Sequence, residues 1–335
     1  RETIGQGHTG AKSRALRERK TVFETLEEAN TWIFYPPSIA ITPFLWRPFL
    51  ARAGADSRNK ESEKAIDATP FNKEEKEALR ESIDPFKGLY IAVRSDECTP
   101  AGVGLWHTDF MLVDGSEEST KRIEQIAKRI LASDFSRDVL AFKKRVGLSL
   151  EENPGVLVMP VLGSGIFSES GAYGTIYHAN VITHFHGDQA LITLGMGIGG
   201  ANNPGAQTFL LKDINAEKFN WRLLSMNLGD SNVLYNGTLV RLLDVPRDRE
   251  HSSLHYLTSI LNLKTRKIQE LVDSLEDMIK ALTANVPHSL YLELGSNLFG
   301  WSLLQSADLN LANLSKPDIP DQNKVLVTCA AKKSA

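Results

Sequence analysis

Pro154-Gly155-Val156-Leu157-Val158-Met159-Pro160-Val161-Leu162 divides the chain. Proline fixes φ and glycine admits turns, so the Pro-Gly pair punctuates the backbone. The apolar run that follows has the length of a buried strand and is far short of the roughly 20 residues a membrane helix needs. A lobe boundary is therefore drawn between residues 153 and 154. The chain of 335 residues is long enough for two packed lobes, since single cores stop growing at roughly 250 to 300 residues. The expectation is an α+β protein of two lobes with a cleft between them, over residues 1–153 and 154–315, followed by a tail over 316–335.

Upstream of the boundary, helical signals dominate. A Gly-rich turn leads into a short helix over 12–20, and a loop that opens a helix is a ready anion site. Residues 32–54 read as a strand, then a helix starting at Thr42-Pro43 with Phe44, Leu45, Phe49 and Leu50 at helical spacing. The polar stretch 55–75 reads as a mobile loop. Leu89-Tyr90-Ile91-Ala92-Val93 is a short apolar strand that puts Arg94 at its exit, and residues 96–104 read as a loop from their Pro and Gly content. Ile123, Ile126, Ala127 and Ile130 predict a helix over 120–131, capped by Ser119 or Thr120, and a second helix is expected over 136–146 through Val139, Leu140 and Phe142. Downstream the pattern turns to strands, over 174–183 and 189–194, with a Gly-rich turn over 195–205. The longest helix is expected over 265–282, and residues 289–294 and 300–304 read as a hairpin.

Composition narrows the function classes. Hydrophobic content of 42% with 24% charged residues excludes a disordered or fibrous chain. A formal charge of −3 without a basic cluster gives no support to a nucleic-acid or anionic-membrane partner. Cys98 and Cys329 are far apart and offer neither a disulfide framework nor a zinc spacing, so a reducing, cytoplasmic setting is expected. The N-terminus, Arg-Glu-Thr-Ile-Gly-Gln-Gly, has no apolar signal core and no initiator Met, and reads as a processed or trimmed piece of something longer.

Gly5-Gln6-Gly7-His8-Thr9-Gly10-Ala11-Lys12-Ser13 comes near a Walker loop, but a residue separates Gly10 from Lys12 and no strand fits before Gly5. Its glycines permit close backbone approach and its lysine can neutralise a phosphate; taken alone, it reads rather as a flexible turn with a solvated lysine. Arg94 can fork onto phosphate oxygens or sit in a structural salt bridge. Ala101-Gly102 carries no bulky side chain, as close approach to a ligand requires. Glu293 and Gln305 lie on neighbouring strands if residues 295–300 form the turn, an oxygen pair that suits Mg²⁺ or two polar residues on an exposed sheet face. His184, His186 and Asp188 could suggest a transition metal and a hydrolase, but Gly187 marks a turn and the run reads as a polar hairpin tip.

Taken in chain order, these segments resemble the N-terminal ATP-grasp, nucleotide-binding domain of the pyruvate phosphate dikinase and phosphoenolpyruvate synthase family, over roughly residues 4–307. Gly10-Ala11-Lys12 is similar to that family's Gly-Gly-Lys segment, Val93-Arg94-Ser95 to its Val-Arg-Ser-Ser, and Pro100-Ala101-Gly102 to its Ala-Gly phosphate loop. Residues 156–161 look like the strand leading to the adenine pocket, Leu194-Gly195-Met196-Gly197 like a Gly-Leu-Gly turn, and Leu292-Glu293 with Leu303-Leu304-Gln305 like the metal-binding strands. The resemblance implies a two-lobed ATP-grasp fold with ATP between the lobes. It gives Lys12 and Arg94 to the ATP phosphates as catalytic residues, Ala101 and Gly102 to a covering loop, Met159 and Val161 to the nucleotide pocket, and Glu293 and Gln305 to Mg²⁺. The implied activity is transfer of phosphate from ATP to a histidine on a separate domain or chain, the alternative being a catalytically weakened ATP-binding or scaffolding module. The chain departs from the pattern at Ala11, at Asp96 in place of a second serine, and at Met159 in place of a glutamine. It departs also at Ile198 in place of a glutamate, Tyr291 in place of an aspartate and Ala307 in place of an arginine.

Overall fold

The computed structural model describes residues 2–29, 33–55, 60–97, 105–161, 166–167, 177–186, 189–195, 207–211, 221–226, 232–235, 238–241, 280, 290–297 and 300–308. The chain begins with β1 (Thr3–Ile4), α1 (Ala11–Ala29), β2 (Ile33–Phe34), β3 (Ile39–Ile41), α2 (Pro43–Arg52), α3 (Lys60–Ala68) and α4 (Lys73–Ile83). It continues through β4 (Tyr90–Asp96), β5 (Thr108–Leu112), α5 (Glu117–Ser133), α6 (Arg137–Val146) and β6 (Gly155–Pro160). Strands follow among the described residues: β7 (Ile166–Phe167), β8 (Tyr177–His186), β9 (Gln189–Gly195), β10 (Gln207–Leu211), β11 (Trp221–Met226), β12 (Asn232–Tyr235), β13 (Thr238–Arg241), β14 (Leu290–Asn297) and β15 (Gly300–Asp308).

These strands make a five-stranded sheet in the order β1-β3-β6-β4-β5, a seven-stranded sheet in the order β11-β10-β9-β8-β14-β15-β2, and a three-stranded sheet in the order β13-β12-β7. The fold is mixed helix and sheet. β6 follows directly on Pro154 and is the middle strand of the first sheet, antiparallel to both β3 and β4. β2, from the N-terminal part of the sequence, joins the seven-stranded sheet through β15.

One hydrophobic cluster lies on a single face of the five-stranded sheet. Ile91 and Val93 of β4 and Val156 and Val158 of β6 join Ile123, Ile126 and Ile130 of α5 in one hydrophobic cluster. The stripe read from the sequence is thus the buried face of α5, although the helix runs from Glu117 and its N-cap is Ser116, which accepts from Ser119 N at 3.1 Å. α6 starts at its Ser136 cap and ends on Gly147 in the left-handed conformation (φ 72°), as its C-terminal turn requires. It buries Val139 and Lys143; the Lys143 Nζ sits 2.7 Å from Asp134 Oδ1 and donates to Glu152 O at 2.6 Å, while Trp106 Nε1 donates to Asp134 at 3.0 Å.

Several expectations need correction. The polar stretch 55–75 is not a loop throughout: it holds α3 and the start of α4. α3 buries Ser62 and Ile66, four residues apart, and packs on α5. With so few apolar residues in the window, tertiary packing rather than periodicity decides the helix. In α2 the buried residues are Trp46, Phe49 and Leu50, and Phe44 is 48% exposed. β4 does not stop at Arg94 but pairs on through Ser95 and Asp96, opposite Val156 and Gly155. The expected helix over 265–282, Lys280 apart, and the Gly-rich turn beyond Gly195 lie outside the described residues, as do Ala101 and Gly102.

Candidate functional site

Successive side chains of a strand point to opposite faces. With Ile91 and Val93 committed to the helical core, Ala92 and Arg94 face the other way. The ladder sets Ala92 opposite Met159 and Arg94 opposite Leu157, so Met159 shares this second face, and Val161, two residues on, donates its N–H to Tyr90 O at 2.9 Å. Arg94 Nη1 lies 3.8 Å from Met159 Sδ.

α1 begins at the end of β4. Gly10 N donates to Asp96 Oδ2 at 3.0 Å, Ser13 N to Asp96 Oδ1 at 3.1 Å, and Ala11 N to Glu97 O. The Ser13 hydroxyl also donates to Asp96. The amides at the helix start, which the sequence offers as an anion site, are thus taken up within the chain by a carboxylate from the neighbouring strand, a remote version of an N-cap. The fit depends on two glycines. A Cβ on Gly10 would stand 2.1 Å from Asp96 O, and one on Gly155 would stand 2.5 Å from Ile41 O. Asp96 is fully buried, and burial pushes its carboxyl above the ordinary range while the Ser13 bonds pull it down.

Lys12 projects from the first turn of α1 to the same place. Its Nζ donates to Ser95 O at 2.9 Å and is ion-paired to Glu97, which also accepts from the Ser95 hydroxyl. Burial lowers the Lys12 amine below its ordinary value; Glu97 opposes that, and Arg94 adds to it by like-charge repulsion.

Glu293 brings the seven-stranded sheet to this face. Its Oε2 is 3.8 Å from Arg94 Nη2, and both side chains are largely enclosed. β14 and β15 pair antiparallel, with Glu293 directly opposite Gln305 and Tyr291 opposite Ala307. The hairpin is longer than the sequence reading had it, β14 extending past Leu294 to Asn297 and β15 past Leu304 to Asp308, with residues 298 and 299 between them. Of the predicted residues, Lys12, Arg94, Met159 and Glu293 therefore meet, with Gln305 one strand beyond Glu293.

His184 lies on β8 opposite Tyr291, and His186 ends that strand opposite Gln189, while Asp188 is outside the described residues. Among the described residues no three His, Cys, Asp or Glu side chains group as a metal cage. Glu293 alone answers a smaller demand: Mg²⁺ is ordinarily held by one or two protein oxygens with phosphates and waters completing its shell. Sequence reasoning missed Glu97 as the partner of Lys12 and Asp96 as the cap of α1. The adjacency of two carboxylates to the Val-Arg-Ser segment was the available signal.

No family model matches the sequence, and no curated protein matches it. Among solved structures, the chain is similar to the ATP-grasp ligase PsnB complexed with minimal precursor, at 9% identity and a TM-score of 0.27 over 95% of this chain and 62% of that one. It is similar also to the C-terminal domain from K. lactis Pby1, an ATP-grasp enzyme interacting with the mRNA decapping enzyme Dcp2, at 11% identity and a TM-score of 0.24 over 75% of this chain and 59% of that one. The chain thus spans 62% and 59% of these two proteins' lengths. Both neighbours are ATP-grasp enzymes, and likenesses at such TM-scores carry no argument about activity.

Proposed function

We propose that this chain binds ATP with Mg²⁺ on the face of β4 and β6 and serves as the nucleotide domain of a phosphotransferase of the pyruvate phosphate dikinase and phosphoenolpyruvate synthase type, passing phosphate to a histidine carried by a separate domain or chain. The observation that carries the reading is the meeting of Lys12, Arg94 and Glu293, three residues from distant parts of the sequence, around one enclosed point. Two cations and a carboxylate with a carboxamide on the adjoining strand form the donor set that a metal-bound polyphosphate needs.

In this reading Arg94 and Lys12 hold phosphate oxygens and Glu293 and Gln305 hold the metal, which would supply neutralisation of charge on the phosphates. Met159 and Val161 supply an apolar wall for the base. Catalysis of such a transfer is mostly positioning and charge stabilisation. The buried backbone on which Arg94 sits provides the rigidity this needs.

A second reading, a nucleotide-binding module without transfer, is favoured by one observation. The position of the missing arginine, Ala307, faces Tyr291 across the hairpin, so neither member of that cross-strand pair carries charge to the transferring group.

Thermal unfolding with and without Mg-ATP tests the shared claim. A bound ligand stabilises by mass action, about 2.7 kcal/mol at a hundred times its Kd, and the expected result is a Tm that rises with Mg-ATP concentration. An unchanged Tm at millimolar Mg-ATP contradicts both readings. Adding a histidine phosphocarrier domain then separates them: release of AMP and phosphate is expected for the transferase, and an inert mixture leaves the binding module.

A further inference from the structure

Asp96 and Glu97 stand side by side at the end of β4, and each occupies a group that a bound phosphate would use. Asp96 takes the Gly10 and Ser13 amides at the start of α1. Glu97 takes the Lys12 ammonium. The two carboxylates are held differently. Asp96 is fully buried, accepts from three donors of α1 and its preceding residue, and lies against Gly10 so closely that no side chain fits there. Its place is structural. Glu97 is past the last residue of β4, and its side-chain partners are the Ser95 hydroxyl and Lys12 itself. Arg94 is in the same situation across the face, 3.8 Å from Glu293.

Around this point, then, two cations, Lys12 and Arg94, face three carboxylates, Asp96, Glu97 and Glu293. A triphosphate brought into that field meets cations that are already compensated.

We infer that Glu97 is an internal anion that competes with bound phosphate for Lys12, so that nucleotide affinity is set by the exchange of the Lys12 ammonium from the Glu97 carboxylate to a phosphate oxygen. The inference rests on the nucleotide reading above. Asp96, by contrast, does not exchange, and the Gly10 and Ser13 amides that it holds take no part in phosphate binding. Glu97 thereby determines how much nucleotide the protein needs before the site fills, because affinity is reduced by the fraction of molecules in which Lys12 is available.

The test is isothermal titration with Mg-ATP of wild type, Glu97→Gln, and the double variant carrying Glu97→Gln and Lys12→Met, with Glu97→Asp held as a second single variant in case the glutamine protein does not fold. Glu97→Gln keeps the side-chain size and removes the competing charge; it is expected to bind Mg-ATP about tenfold tighter than wild type. Glu97→Asp, with a shortened and loosened pair, is expected between the two. The gain is expected to vanish when Lys12 is also replaced. If Glu97→Gln binds equally or more weakly while wild type binds, Glu97 positions Lys12 rather than competing for it, and the inference alone is overturned. A gain that persists without Lys12 overturns it as well. Absence of binding in every protein overturns the inference together with the nucleotide reading.

Discussion

Asp114 lies just before α5 and Asp96 caps the start of α1 from the end of β4, and their surroundings act on them in opposite directions. Burial is the main influence on Asp96 and raises it. Asp114 is exposed; Ser116 and Ser119 hydrogen-bond its carboxylate and hold it down at about 2. A carboxyl depressed in the folded state contributes stability that is complete above its unfolded value, 3.8, and is lost as pH falls through its folded value. The stability difference between wild type and Asp114→Asn, measured by urea unfolding, is therefore expected to be constant from neutral pH down to about pH 5 and to shrink toward zero near pH 2. A difference that does not change with pH would contradict the assignment. At this scale the sequence was half legible. Asp96 reads, in a one-dimensional comparison, as negative charge placed near phosphates. In three dimensions most of its bonding is directed at α1, because the strand continues two residues beyond Arg94 and turns every second side chain toward that helix.

Elements were legible where one side of them was apolar and the other was not. Ile123, Ile126 and Ile130 identify α5 and its buried face without help from the rest of the chain. α3 could not be found in that way, since Ile66 is the only large aliphatic side chain among Lys60–Ala68, beside Ala65 and Ala68, and the helix exists by packing on α5. α4 left a clearer mark, the Asn72-Lys73-Glu74-Glu75 capping box in which Asn72 Oδ1 accepts from Glu75 N at 2.9 Å and Glu75 accepts in return from Asn72 N at 2.7 Å. Ile66 is completely buried, so Ile66→Ala is expected to destabilise the protein by about 2 to 5 kcal/mol. Urea unfolding should show a lower midpoint at unchanged slope; a midpoint equal to that of wild type would mean that residues 60–68 contribute nothing to the fold.

At the scale of the whole molecule, the site depends on α1 as much as on the sheets. α1 packs against β4 of the five-stranded sheet and against β2 and β15 of the seven-stranded one, and so delivers Lys12 to the place where Arg94 and Glu293 meet. That meeting was foreseeable from the order of segments along the chain, and the antiparallel register of β14 and β15 follows from the hairpin pattern. The ion pairs were not foreseeable. Whether Lys12 faces a phosphate or a glutamate, and whether Arg94 reaches Glu293, depends on the approach of β4, α1 and β14, which no local pattern encodes. Among the described residues no helix is long and apolar enough to cross a membrane.

The central claim is that Arg94, at the junction of these elements, holds the phosphates of a Mg²⁺-bound nucleotide. Isothermal titration of wild type and Arg94→Ala with ATP, with and without Mg²⁺, tests it most directly. The account predicts saturable binding that requires Mg²⁺ and is weakened about tenfold or more in Arg94→Ala, the loss of one charge-assisted hydrogen bond. No saturable heat with wild type, or an affinity unchanged by the substitution, would contradict it.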